Sequence, residues 1–190
     1  VQHAVQLRRD LAHPVGEGVQ VLLLGDVELE HLGLSQEPTV FNPHLLHIEV
    51  DEGVYFAIFD PLFGVDDKGM FYPLLAAEVP TVENGGISED GLSWRVKLRD
   101  DVKWHDGTPF TAEDVKFTYD LVTNAEWPGG LDSYFAQIAG ATEHKDGSAE
   151  ELTGVKAIDD HTVEVTLLQP DALFLASAAS RQRILPKHIL

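Results

Sequence analysis

Cysteine is absent from the 190 residues, and this excludes disulfides, thiolate metal sites, a cysteine nucleophile and a lipid-modified cysteine within the chain. Long apolar runs are missing too. A membrane-crossing helix needs roughly 18 or more consecutive apolar residues. The nearest stretch, "VQVLLLG" at Val19–Gly25, has the length and β-branched content of a buried strand instead. No basic segment leads into an apolar core and a small-residue cleavage site, so an export signal is expected to have been removed or never included. Basic residues are scarce: 13 Lys and Arg stand against 32 Asp and Glu, a formal charge of −19. Phosphate backbones and anionic membranes are repelled by such a surface, so no nucleic-acid partner is expected. What is present is an ordinary globular composition, 44% hydrophobic, sufficient for one domain or one domain and part of a second.

Residues 1–30 open with a short helical pattern and break at Pro14, Gly16 and Gly18. The prolines of "SQEPTVFNPHL", Ser35–Leu45, then impose an extended, loop-like path. Apolar spacing predicts a helix over Glu49–Phe59, ended by Asp60-Pro61, and a hairpin in "LFGVDDKGMFYP". "LLAAE" reads as a brief helical turn. Strict alternation marks "LSWRVKL" as a strand, paired in expectation with "EVPTVE", and makes "GVKAIDDHTVEVTL" a second hairpin. "DALFLASAAS" reads as a small-residue helix. Strands and helices in this order indicate an α+β, or mixed α/β, fold rather than a regular βαβ series.

The densest group of polar residues is "VKWHDGTPFTAEDVKF", Val102–Phe117. Asp106-Gly107 is a turn signal, Thr111 occupies an N-cap position, and Asp114 three residues on completes a capping box. Phe110 and Val115 have the spacing of a hydrophobic staple. Helix initiation thus accounts for most of the motif. His105 lacks a partner nucleophile or co-ligands at any recognisable spacing. His44 and His47 are three apart but flanked by proline, without a third ligand. No zincin, phosphate-loop or nucleophile-elbow motif occurs, so no catalytic residue, metal or cofactor is expected.

Together "SQEPTVFNPHL", "SEDGLSWRVKLRDDVKWHDGTPFTAEDV" and "GVKAIDDHTVEVTLLQPDALFL…ILPKHIL" resemble bacterial extracellular solute-binding protein family 5, from about Leu34 to Leu190. These are the oligopeptide-, dipeptide- and nickel-binding receptors of ABC importers. The resemblance implies a two-lobed fold like the type II periplasmic binding proteins, much longer than this chain, that closes on its solute without covalent chemistry. It implies a periplasmic or extracellular location, membrane association through the transporter, and a membrane permease as partner. By the same resemblance, residues 31–52 begin the main lobe and carry a cleft loop, residues 53–180 form an accessory domain, and residues 181–190 return towards the main lobe. Glu37, Thr39, Phe41 and Asn42 are then the residues expected to line the ligand cleft. Half a cleft loses most of its contacts, so this portion alone is not expected to bind solute tightly.

Three alternatives stand beside peptide capture. One is a receptor for nickel or another solute of the same family. Another is a truncated docking module that carries no solute. The third is a hydrolase using His105 with Asp106 or Asp114. Truncation also predicts exposed apolar faces at "VQVLLLG" and "DALFLASAAS", and a homodimer through them.

Overall fold

The computed structural model describes residues 39, 42–45, 49–128, 131 and 133–190. It divides into two compact units, residues 1–58 and 59–190. "VQVLLLG" and residues 1–30 as a whole lie outside the described residues. In the first unit the helical spacing becomes α1, Glu49–Ile58. Asp51, Val54 and Tyr55 are its buried side chains.

The second unit opens with the predicted hairpin, β1 (Phe63–Val65) against β2 (Phe71–Pro73). Its turn is organised by Asp66, whose carboxylate accepts from the backbone N–H of Lys68 (2.9 Å) and of Met70 (2.8 Å). A three-stranded antiparallel sheet follows, ordered β3 (Ser93–Lys97), β5 (Thr162–Thr166), β4 (Val155–Asp159). Period-two alternation places Trp94 opposite Val165 and Val96 opposite Val163, and all four are buried. The wet face pairs Arg95 with Glu164 at 2.8 Å. That exposed ion pair contributes at most about 1 kcal/mol.

One helix, α2 (Ala112–Thr123), packs on this sheet and buries Val115, Tyr119 and Val122 in the main apolar cluster. The Tyr119 ring meets Phe135 edge-on, with centroids 5.3 Å apart. Trp94 meets Phe174 at 5.1 Å. Each fully buried large apolar side chain contributes roughly 1.5–3 kcal/mol, so this cluster dominates the stability of the unit. A 3-10 turn at Phe135–Gln137 and the short α3 (Ala141–Lys145) close the far end.

Three local expectations are corrected. "LLAAE" is not helical: Leu74 and Ala76 donate their N–H groups to the Leu62 carbonyl, and Ala77 donates to that of Lys97. A segment this short between Pro73 and Pro80 cannot repay helix nucleation, and cross-chain partners are available. "EVPTVE" does not form a strand either. The Asn84 side chain accepts from Thr81 and Gly86 N–H and donates to the Val79 carbonyl, which folds the segment into a turn. Pairing with β3 is left to Ile87, opposite Trp94.

The third correction concerns "DALFLASAAS", where the expected helix is present as a π-helical turn at Leu175–Ala179 but its apolar face is not the exposed one expected. Ser177 and Ser180 donate their hydroxyls to the carbonyls of Leu173 and Leu175, respectively, the back-bonding that loosens an α-helix. Its apolar residues are mostly covered. Phe174, Leu175 and Ala179 are buried, and Leu173 alone of this run's large apolar side chains is strongly exposed.

Candidate functional site

The motif Val102–Phe117 forms a clasp. Asp106-Gly107 makes its turn, with Gly107 at φ 90° and the Asp106 carboxylate accepting from Thr108 N–H at 2.9 Å. That backbone bond, followed by the His188 ring 2.7 Å away, lowers the Asp106 pKa to about 2. His105 is exposed at the tip of the turn. The motif's hydrogen bonds converge on Asp106 and Asp114 instead. Among the described residues no group of three or more His, Asp and Glu side chains is placed to hold a metal ion.

Asp114 is the centre of the motif. It is 4% exposed. The capping box forms, with Thr111 N–H donating to Oδ2 at 2.9 Å. Trp104 Nε1–H reaches the same oxygen at 3.2 Å. The N–H of Lys187 reaches Oδ1 at 2.9 Å. One turn along α2, the Thr118 hydroxyl donates to the Asp114 carbonyl (2.8 Å) and accepts from Leu185 N–H (2.9 Å). Surface pairs Lys187–Glu113 (2.8 Å) and His188–Asp106 close the clasp outside. Between them lies an open cleft of about 440 Å³, lined by Thr108, Pro109, Thr111, Glu113, Asp114, Lys187 and His188. Of its charged groups, Glu113 pairs with Lys187, His188 with Asp106 beside the cleft, and the Asp114 carboxylate is taken up by N–H donors.

The four residues expected at the ligand cleft are only partly visible. Glu37 and Phe41 lie outside the described residues. Thr39 donates both its N–H (2.6 Å) and its hydroxyl (2.8 Å) to the buried carboxylate of Asp51 on α1. Asn42 accepts from His44 N–H at 3.0 Å through its side chain, and its carbonyl accepts from Leu45 N–H. Thr39 is therefore tied to α1 and Asn42 to its own turn. Sequence reasoning missed Asp51 as the anchor of Thr39. The only available signal was a buried Asp in an apolar helix face.

Comparison with known proteins supplies what the geometry does not. The family described as "Bacterial extracellular solute-binding proteins, family 5 Middle" matches residues 71–188, more than half of the chain. The periplasmic oligopeptide-binding protein OppA of Escherichia coli K12 is 36% identical over 116 residues, which are 56% of this chain and 21% of that protein. Oligopeptide-binding protein AppA of Bacillus subtilis is 28% identical over 166 residues, 87% of this chain and 26% of AppA. Among solved structures, Haemophilus influenzae OppA in complex with the peptide RPPGFSPFR aligns with a TM-score of 0.69 at 26% identity, covering 80% of this chain and 29% of that one. Listeria monocytogenes OppA bound to peptide aligns at 0.66 and 27% identity, covering 77% and 28%. The chain thus spans a fifth to three tenths of the length of these relatives. The mixed α/β fold is that of type II periplasmic peptide-binding proteins. Because the family match covers more than half of the chain and takes in the whole of Val102–Phe117, the chain belongs to the bacterial extracellular solute-binding proteins of family 5.

Proposed function

We propose that this chain is part of the substrate-binding component of an ABC-type peptide importer, which captures oligopeptides or dipeptides between two lobes without covalent chemistry. In this reading residues 31–52 begin the main lobe, with Glu37, Thr39, Phe41 and Asn42 facing the ligand cleft. Residues 53–180 are the accessory domain, and residues 181–190 return to the main lobe. The receptor works in the periplasm or outside the cell, associated with the membrane through its permease. One observation carries the proposal: relatives of this fold, aligned at TM-scores of 0.66 and 0.69, are structures with peptide bound. No helix among the described residues is long and apolar enough to cross a membrane. A homodimer through "DALFLASAAS" is not included, because Phe174 and Leu175 are buried within the unit.

Isothermal titration of the complete protein with di- to hexapeptides tests this. Saturable binding at micromolar or tighter affinity is expected for at least one length class. The absence of both heat and thermal shift with every peptide would reject the assignment.

A further inference from the structure

The stretch Ile184–Pro186 belongs to no helix or strand, and Lys187–Ile189 follow as a turn closed by the Ile189 N–H donating to the Pro186 carbonyl (3.1 Å). The other backbone N–H groups nevertheless find partners: Ile184 donates to the Asp60 carbonyl (3.2 Å), Leu185 to the Thr118 hydroxyl (2.9 Å) and Lys187 to the Asp114 carboxylate (2.9 Å). Pro186 has no N–H to satisfy. Ile184 and Leu185 are buried at 1% and 2% exposure, while the residues from Lys187 onward are exposed.

The spacing explains why a helix can serve here in place of a strand. Asp114 and Thr118 are four residues apart on α2, a rise of about 6 Å at 1.5 Å per residue. Leu185 and Lys187 are two residues apart, about 6.6 Å where the chain is extended, the conformation that a residue preceding proline favours. The two repeats match within a fraction of an ångström, and the segment runs antiparallel to the helix. Side-chain acceptors on one helix face therefore replace the carbonyls of a neighbouring strand. Two ion pairs then fix the outer end, Lys187 to Glu113 and His188 to Asp106.

We propose that α2 acts as a docking track for a strap, residues 184–188, with Asp114 and Thr118 as its positioning residues. Held in this way, the strap sets how firmly the accessory unit grips the chain that leaves it, and so the rate at which captured peptide dissociates. The docking itself stands on the geometry alone; the effect on dissociation rests on the receptor reading above.

Residue-resolved hydrogen exchange on the complete protein, with peptide dissociation measured in parallel, tests both parts. Asp114→Asn turns an amide N–H₂ towards donors that now meet a carboxylate oxygen. It is expected to speed exchange of the Lys187 amide at least about tenfold, the loss of one charge-assisted hydrogen bond. The near-isosteric Thr118→Val is expected to do the same at Leu185. The sheet amides of Thr166 and Leu167, which donate to Gly154 and Leu92, should keep their protection in both variants. An unchanged Lys187 amide in Asp114→Asn would overturn the track. Parallel loss of protection at Thr166 and Leu167 would overturn it as well, by showing a global effect. Peptide should leave both variants several-fold faster, and unchanged dissociation alongside a loosened strap would overturn the coupling. If the unaltered protein binds no peptide, the receptor reading and the coupling both fall, and the exchange result still decides the track.

Discussion

Tyr119→Ala is expected to lower the stability of the protein by about 4 kcal/mol, a typical aromatic-to-alanine loss in a packed core. Tyr119 is 1% exposed and lies between the sheet and Phe135, whose ring it meets at an interplanar angle of 71°. Burial also pushes its phenol pKa upward from the ordinary tyrosine value, a sign of how little water reaches the site. Truncation removes the largest fully buried side chain of the unit and leaves a cavity that the rigid sheet cannot collapse to fill. Denaturant titration should show the midpoint falling with the slope unchanged. A loss below about 1 kcal/mol would mean that this cluster is not the core.

Gly154→Ala should follow closely, at about 3 kcal/mol, for the opposite physical reason. A Cβ built on Gly154 would stand 2.4 Å from the backbone oxygen of Ala139 and 2.9 Å from its nitrogen. Neither atom can yield easily. Ala139 N–H donates to Thr166 and the Leu168 N–H to Gln137, so the strip 137–139 is pinned across the end of β5. Overpacking against backbone costs roughly 1–3 kcal/mol even where relaxation is possible. A wild-type melting midpoint for Gly154→Ala would show that the strip is free to move away.

Neither effect could have been ranked from the sequence, although much of the framework could. "LSWRVKL" and "TVEVTL" were legible because alternation with period two survives in a one-sided sheet, and the observed register puts Trp94, Val96, Val163 and Val165 inside. The start of α2 was legible because capping is local chemistry: Thr111, Asp114, Phe110 and Val115 lie within six residues. The failures were also local, but concerned side chains that compete with the backbone. Asn84 bends "EVPTVE" into a turn, and Ser177 and Ser180 widen the helix at Leu175–Ala179.

The site was the least legible part. Asp114 could be read as a helix-starting residue, yet its bond to Lys187 spans 73 residues and leaves no periodic trace. The same holds for Thr118 and Leu185, 67 residues apart. Thr118 offered a clue, because its position between Val115 and Val122 puts a polar residue on the apolar side of α2. For Thr39 and Asn42 the expected cleft role came from the family resemblance, and the described hydrogen bonds are those of a stiffened loop anchored by Asp51.

A receptor of the proposed kind holds its peptide intact, and loading the complete protein with a defined peptide mixture, denaturing it and identifying the retained species by mass spectrometry tests this. Uncleaved peptides in stoichiometric amount are predicted. Recovery of cleaved fragments, or of no peptide at all, would contradict the account.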